Sequence, residues 1–160
     1  MKKKPVIAID GYSSTGKSSI SRKIAKKLDL IHIDTGALYR GITFIALENC
    51  LNDQQEIDIK SLFSKLNDIH LEFRPNHQVL ELYLNGKNIN KEIRELRVSN
   101  NVSIVAKQPE IRDFLLDFQR NLATKGGVIM DGRDIGTVIL PNADFKFFVT
   151  ASPVERARRR

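Results

Sequence analysis

The chain is poor in cysteine and has no long hydrophobic run, and each shortage removes a class of protein. One cysteine, Cys50, permits no intramolecular disulfide framework, and it stands apart from any Cys/His cluster with metal-site spacing. A reducing compartment fits this usage, so a cytoplasmic location is expected. The histidines His32, His70 and His77 share no spacing that would build a metal centre or a triad, and read as structural or surface residues. No apolar run approaches the ~20 residues of a membrane-spanning helix, so no membrane partner is expected. The opening Met-Lys-Lys-Lys has the charge of a signal-peptide start, but Asp10 cuts the short apolar run behind it, which argues against export. Asn101-Val102-Ser103 matches a glycosylation acceptor that a cytoplasmic chain would never use. Internal repeats and low-complexity linkers are also missing.

What is present is 160 residues with 41% hydrophobic content, enough to bury the core of one domain. The net charge of +7 invites a nucleic-acid reading. Its distribution argues against one. Much of the excess lies in Lys2–Lys4 and in Arg156, Arg158, Arg159 and Arg160, while several interior arginines are single residues among polar neighbours. That pattern suits a small anionic ligand better than a duplex.

Residues 5–10 are nearly all apolar, with Val and Ile prominent, as in a strand covered on both faces of a parallel sheet. From Lys17 the spacing of Ile20, Ile24 and Leu28 predicts a helix over 17–28 with that triplet as its buried stripe. A short second strand follows at 30–34, then a largely enclosed helix over 35–50. Between about 52 and 105 the character changes: a short helix near 59–66 precedes two alternating segments, 69–74 and 79–84, that read as half-exposed strands. Pro75-Asn76-His77-Gln78 is expected to turn between them and Asn85-Gly86 to turn after them, giving a small antiparallel sheet inserted into an α/β domain. Pro109 begins a helix with the stripe Ile111, Leu115, Phe118 and Leu122, ended by Gly126-Gly127. Segments 128–131 and 145–149 return as strands of the main core. A last helix starts at about Pro153 and carries arginines in its first turns, with no C-terminal cap.

The stretch Gly11-Tyr12-Ser13-Ser14-Thr15-Gly16-Lys17-Ser18 has two glycines around four residues, then Lys and Ser, between a strand and a helix. Successive backbone N–H groups of such a loop turn inward around phosphate oxygens, and the helix dipole adds attraction. Lys17 is placed to reach the outer phosphates, and the Ser18 hydroxyl to coordinate Mg²⁺. The loop alone does not separate a GTPase, a motor ATPase and a small-molecule kinase. A kinase acting on another phosphate must hold two polyanions face to face and needs extra cations, for which Arg40, Arg94, Arg112 and Arg133 are candidates. Asp131, at the end of an apolar strand, reads either as a carboxylate acting on Mg²⁺ through water or as a structural anchor for Gly132-Arg133-Asp134.

The segments DTGALYRG at 34–41, NKEIRE at 90–95, NNVSIVAKQPEIR at 100–112 and MDGRDIGTVILPNADFKFFVTAS at 130–152 together resemble the bacterial cytidylate kinases, from Ile7 to the last residue. The resemblance implies a P-loop nucleoside monophosphate kinase fold, a parallel sheet flanked by helices with a small inserted antiparallel sheet. It implies transfer of the γ-phosphoryl group of ATP to CMP or dCMP with Mg²⁺, by a cytoplasmic enzyme expected to work as a monomer. Residues 11–19, Ser19 included, would hold the donor phosphates, with Lys17 and Arg133 catalytic. Thr35 would lie near the acceptor sugar, Arg40, Arg94 and Arg133 would grip its phosphate, and Ser103, Arg112 and Asp134 would read the base. Residues 62–105 would form the inserted monophosphate-binding region of a single kinase core spanning 1–160.

Two departures stand out. Tyr12 occupies a position where many relatives carry Pro, at a point in the loop whose side chain need not touch phosphate. Relatives also continue past the position of Arg160 through a lid, so the resemblance implies a core incomplete at its C-terminus and poorly active alone. The terminal arginines then read either as the start of the lid-bearing helix or as a solvated basic tail. Rival readings are a kinase for UMP or another small acceptor, and a non-catalytic P-loop module binding nucleotide or nucleic acid.

Overall fold

A computed structural model describes residues 4–76 and 79–159. Two compact units emerge: residues up to Thr35 together with those from Gln119 onward, and Gly36–Phe118.

The first unit is built on a parallel four-stranded sheet in the order β2-β6-β1-β7, with β1 at Val6–Gly11, β2 at Ile31–Asp34, β6 at Val128–Gly132 and β7 at Phe145–Val149. The two mainly apolar runs become the central strands, and every residue of β6 is buried. Register pairs Asp10 with Gly132, so the segments leaving β1 and β6 start from neighbouring strand ends. The crevice outside such carboxyl ends is where open parallel sheets bind ligands.

Helix α1, Lys17–Leu28, forms where its periodicity predicts, but the expected stripe does not hold. Ile20 and Leu28 are 41% and 50% exposed, while Ser21 and Ala25 are the buried residues and Ile24 is partly covered. The helix is turned about one residue from the apolar triplet, because the small side chains let it lie close against Ile7, Ile9 and Ile129. Strand β7 also forms as expected, at the edge of the sheet beside β1, yet Phe145, Phe147 and Phe148 are more than half exposed, so its faces are only partly covered. Helix α6, Pro153–Arg158, starts on Ser152, whose side chain caps the Glu155 N–H.

The second unit contains α2 (Gly36–Asn49), α3 (Ile59–Lys65), α4 (Leu96–Ala106) and the first part of α5 (Pro109–Ala123), with a separate antiparallel sheet. That sheet is ordered β3-β4-β5: Leu71–Asn76, Val79–Leu84 and Lys87–Asn88. Leu38, Ile42, Leu62, Leu82, Ile111 and Leu115 make its core, and Gly41 lets α2 approach Leu82 closely. Asp58 caps α3 by accepting from Lys60 and Ser61 N–H groups. Asn85 and Gly86, both at positive φ, make the expected β4–β5 turn. The first turn differs from expectation. Pro75 and Asn76 continue β3, opposite Leu80 and Val79, leaving His77 and Gln78, which lie outside the described residues. Proline is tolerated there because β3 is an edge strand. The stretch 62–105 falls within this unit. Among the described residues no helix is long and apolar enough to cross a membrane.

Candidate active site

Between β1 and α1, residues Ser14 to Ser19 line a hollow of about 200 Å³. Gly11 is required by close approach, since a Cβ there would sit 2.5 Å from the Val149 carbonyl oxygen of β7. Gly16, at φ 90°, turns the chain into α1. Among the described residues no side chain caps that helix start, and no acidic residue occupies its first turn, so its N–H groups and dipole are left for an anion. The Tyr12 carbonyl accepts from Thr15 Oγ1 at 2.9 Å and from Lys17 Nζ at 3.2 Å. Burial lowers the Lys17 pKa below its ordinary 10.5; the nearby Arg133 guanidinium lowers it further, against the opposing pull of Asp131, Asp34 and Asp10.

Beneath the loop, Asp131 is almost fully buried and uses both carboxylate oxygens: Ser18 Oγ donates to Oδ1 at 3.2 Å, and His32 Nε2 lies 2.8 Å from Oδ2. The Asp131 carbonyl accepts from Thr35 Oγ1 at 2.8 Å, fixing the buried Thr35. A hydroxyl and a carboxylate beside a phosphate loop form an oxygen donor set suited to Mg²⁺, which keeps waters and takes its remaining ligands from phosphate. Among the described residues no three His, Cys, Asp or Glu side chains gather as a metal cage.

The segment after β6 is held from below. Asp10 is buried, and its carboxylate accepts from the Ile135 N–H at 2.6 Å and the Gly136 N–H at 2.8 Å. These groups open a single π-helical turn, Ile135–Ile139. Arg120 closes its far end by donating to the carbonyls of Ile139 and Val138, each at 3.1 Å. Arg133 and Asp134 are thereby carried on a braced segment, Arg133 exposed and Asp134 half-buried. Gly132 permits the tight path: a Cβ there would meet Thr35 Oγ1 and Ile135 Cδ1 at 2.6 Å.

The first unit therefore brings together Lys17, Ser18, Thr35, Arg133 and Asp134. The other expected contacts belong to the second unit, on separate elements. Arg40 lies half-buried on α2 and Arg112 half-buried on α5; Ser103 is exposed on α4. Arg94 ends a 3-10 turn and donates to the Asn90 carbonyl at 3.2 Å.

Sequence reasoning missed three features. Asp10 reads in the sequence only as the end of a strand, and the carboxylate–histidine pair joins residues 99 positions apart. The third is α6. Arg156 Nε donates to the Ser13 carbonyl at 3.0 Å and its guanidinium lies 4.9 Å over the Tyr12 ring, while Arg159 reaches the Ser14 carbonyl at 3.5 Å. Glu155 pairs with Arg158 and Arg159. Arg156 is thus half-buried against the loop, while Arg159 touches it from an exposed position; Arg160 lies outside the described residues.

A strand, a glycine loop and a helix start with a half-buried lysine, beside a second cation-bearing loop, define a P-loop nucleotide-binding protein. The cytidylate kinase family profile matches residues 7–160. The cytidylate kinase of Flavobacterium johnsoniae is 46% identical over 160 residues, covering 99% of this chain and 70% of that protein. Those of Exiguobacterium sp. and Listeria innocua are each 48% identical, over all of this chain and 70% of theirs. The chain belongs to the cytidylate kinase family.

Proposed function

We propose that the protein transfers the γ-phosphoryl group of ATP to CMP or dCMP. The observation that carries this reading is the pair of Asp10 hydrogen bonds, which ties the segment bearing Arg133 and Asp134 to the strand that feeds the phosphate loop. This tie supports a reading in which a donor site and an acceptor site share adjacent strand ends.

In this reading the N–H groups of residues 11–19 cradle the donor phosphates. Lys17 leaves the Tyr12 carbonyl for the phosphate oxygens and stays with them as charge develops. Arg133, with Arg40 and Arg94, holds the acceptor phosphate, offsets repulsion between the two anions and aligns attack on the terminal phosphorus. No protein nucleophile is needed, because the acceptor oxygen is already negative at neutral pH. Ser18, with Asp131 behind it, would hold Mg²⁺. When bound, that ion supplies charge neutralisation between the donor phosphates. Thr35 gives its hydroxyl proton to the Asp131 carbonyl and keeps its oxygen as an acceptor for the ribose. Asp134, Arg112 and Ser103 would match the amino donor and the N3 and O2 acceptors of cytosine. Uracil presents a carbonyl where cytosine has its amino group, at a cost of about 1–3 kcal/mol.

The test is ADP release with CMP, dCMP, UMP, AMP and shikimate as acceptors. Turnover is expected with CMP and dCMP, slower by about 5- to 150-fold with UMP, and absent with shikimate. Equal rates on UMP and CMP would overturn the base assignment. Salt-sensitive retention on DNA without monophosphate-dependent turnover would favour a nucleic-acid-binding module instead.

A further inference from the structure

The phosphate loop's carbonyls are occupied in sequence. A trans peptide points its C=O and N–H in opposite directions, so a donor on each carbonyl fixes where the next N–H points. Thr15 and Lys17 take the Tyr12 carbonyl, Arg156 takes that of Ser13 and Arg159 reaches that of Ser14. The N–H groups on the far side of these peptides belong to Ser13, Ser14 and Thr15, inside the stretch read as the phosphate cradle. Arg156 is itself held. Its guanidinium lies over Tyr12, and Tyr12 is braced edge-to-face on Phe148 of β7 at 5.8 Å between ring centres.

We propose that Arg156 and Arg159 preorganise the phosphate loop by pinning its outward carbonyls, and that Tyr12 is a positioning residue that aligns Arg156 for this task. The proposal rests on the reading of residues 11–19 as the donor-phosphate site. It gives the aromatic side chain at position 12 a purpose that does not involve touching phosphate. It also accounts for a strongly basic α6: one face serves the loop, while Glu155 pairs with Arg158 and steadies Arg159.

The experiment is calorimetric titration of the 160-residue chain with ADP and with inorganic tripolyphosphate, at low and high salt. Thermal unfolding of each variant is recorded alongside. Arg156→Ala should weaken both ligands about tenfold, the loss expected for a hydrogen bond to a charged group. Arg156→Lys should restore little, and the deficit should persist at high salt, because a planar fork pinned to a carbonyl differs from a mobile point charge. Tyr12→Ala should weaken binding about threefold and Tyr12→Phe should match the parent, since the ring face is what the guanidinium uses. Full rescue by lysine with a deficit that vanishes in salt would reduce Arg156 to a general attraction and overturn the proposal. So would parent-like binding by a folded Arg156→Ala variant. Failure of the parent chain to bind either ligand would instead refute the underlying reading of the loop.

Discussion

Replacing Asp10 by Asn removes one charge and keeps the shape, which isolates the tie between the two loops. The parent carboxylate accepts two short bonds, from the N–H groups of Ile135 at 2.6 Å and Gly136 at 2.8 Å, in a buried position. An amide oxygen can satisfy one of them. The other N–H then faces an NH₂ group and goes unpaired, at about 1–3 kcal/mol. The surviving bond loses its ionic character, for about 1 kcal/mol more, while relief from burying a charge returns part of the loss. A net destabilisation of about 2 kcal/mol results, without the cavity that Asp10→Ala would add. The turn that starts at Ile135 should then loosen, and Arg133 with it. Urea unfolding should show a lower midpoint at unchanged slope. Turnover with ATP and CMP should fall at least about tenfold, with a smaller change in the KM for ATP, because the donor loop is built by other contacts. An unchanged midpoint with kcat within about twofold of the parent would refute the reasoning.

Four further outcomes follow from three single residues. Lys17 has a folded pKa below 10.5, so between the two values the unfolded chain holds more protons; stability of the ligand-free protein should rise with pH across that window, and Lys17→Met should abolish the rise. Phosphate raises the same pKa, so ADP binding there should take up a proton, measured by calorimetry in buffers of different ionisation enthalpy. Ser21 Oγ is buried with no hydrogen-bond partner among the described residues, so Ser21→Ala should leave stability unchanged or raise it by about 1 kcal/mol in urea unfolding. Gly132→Ala drives a methyl group against Thr35 and Ile135 and should cost about 1–3 kcal/mol in the same assay.

Features carried by local spacing were legible in the sequence. The strand-loop-helix order around Gly16-Lys17-Ser18, the buried β6 with its apolar Val128-Ile129-Met130 start and the Asn85-Gly86 turn each follow from a few adjacent residues. The α1 stripe was misread because a repeat every four residues fits Ile20-Ile24-Leu28 and Ser21-Ala25 equally well, and close packing selected the small pair. Strand β7 has the composition of an interior strand, but composition does not say which strand stands at the edge of a sheet. The contacts that brace the site were hidden by distance along the chain. Asp10 meets Ile135 across 125 residues, and Arg156 meets Ser13 across 143. Neither pair belongs to a short motif, and only the parallel register that sets β1 between β6 and β7 brings them together.

The central claim is that donor and acceptor phosphates are held face to face. It is tested most directly by titrating the chain with a ligand that joins adenosine to cytidine through five phosphates. If both sites exist as described, this ligand binds at least about tenfold more tightly than ADP, since the second contact becomes intramolecular. Binding no tighter than ADP, with CMP failing to compete, would contradict the account.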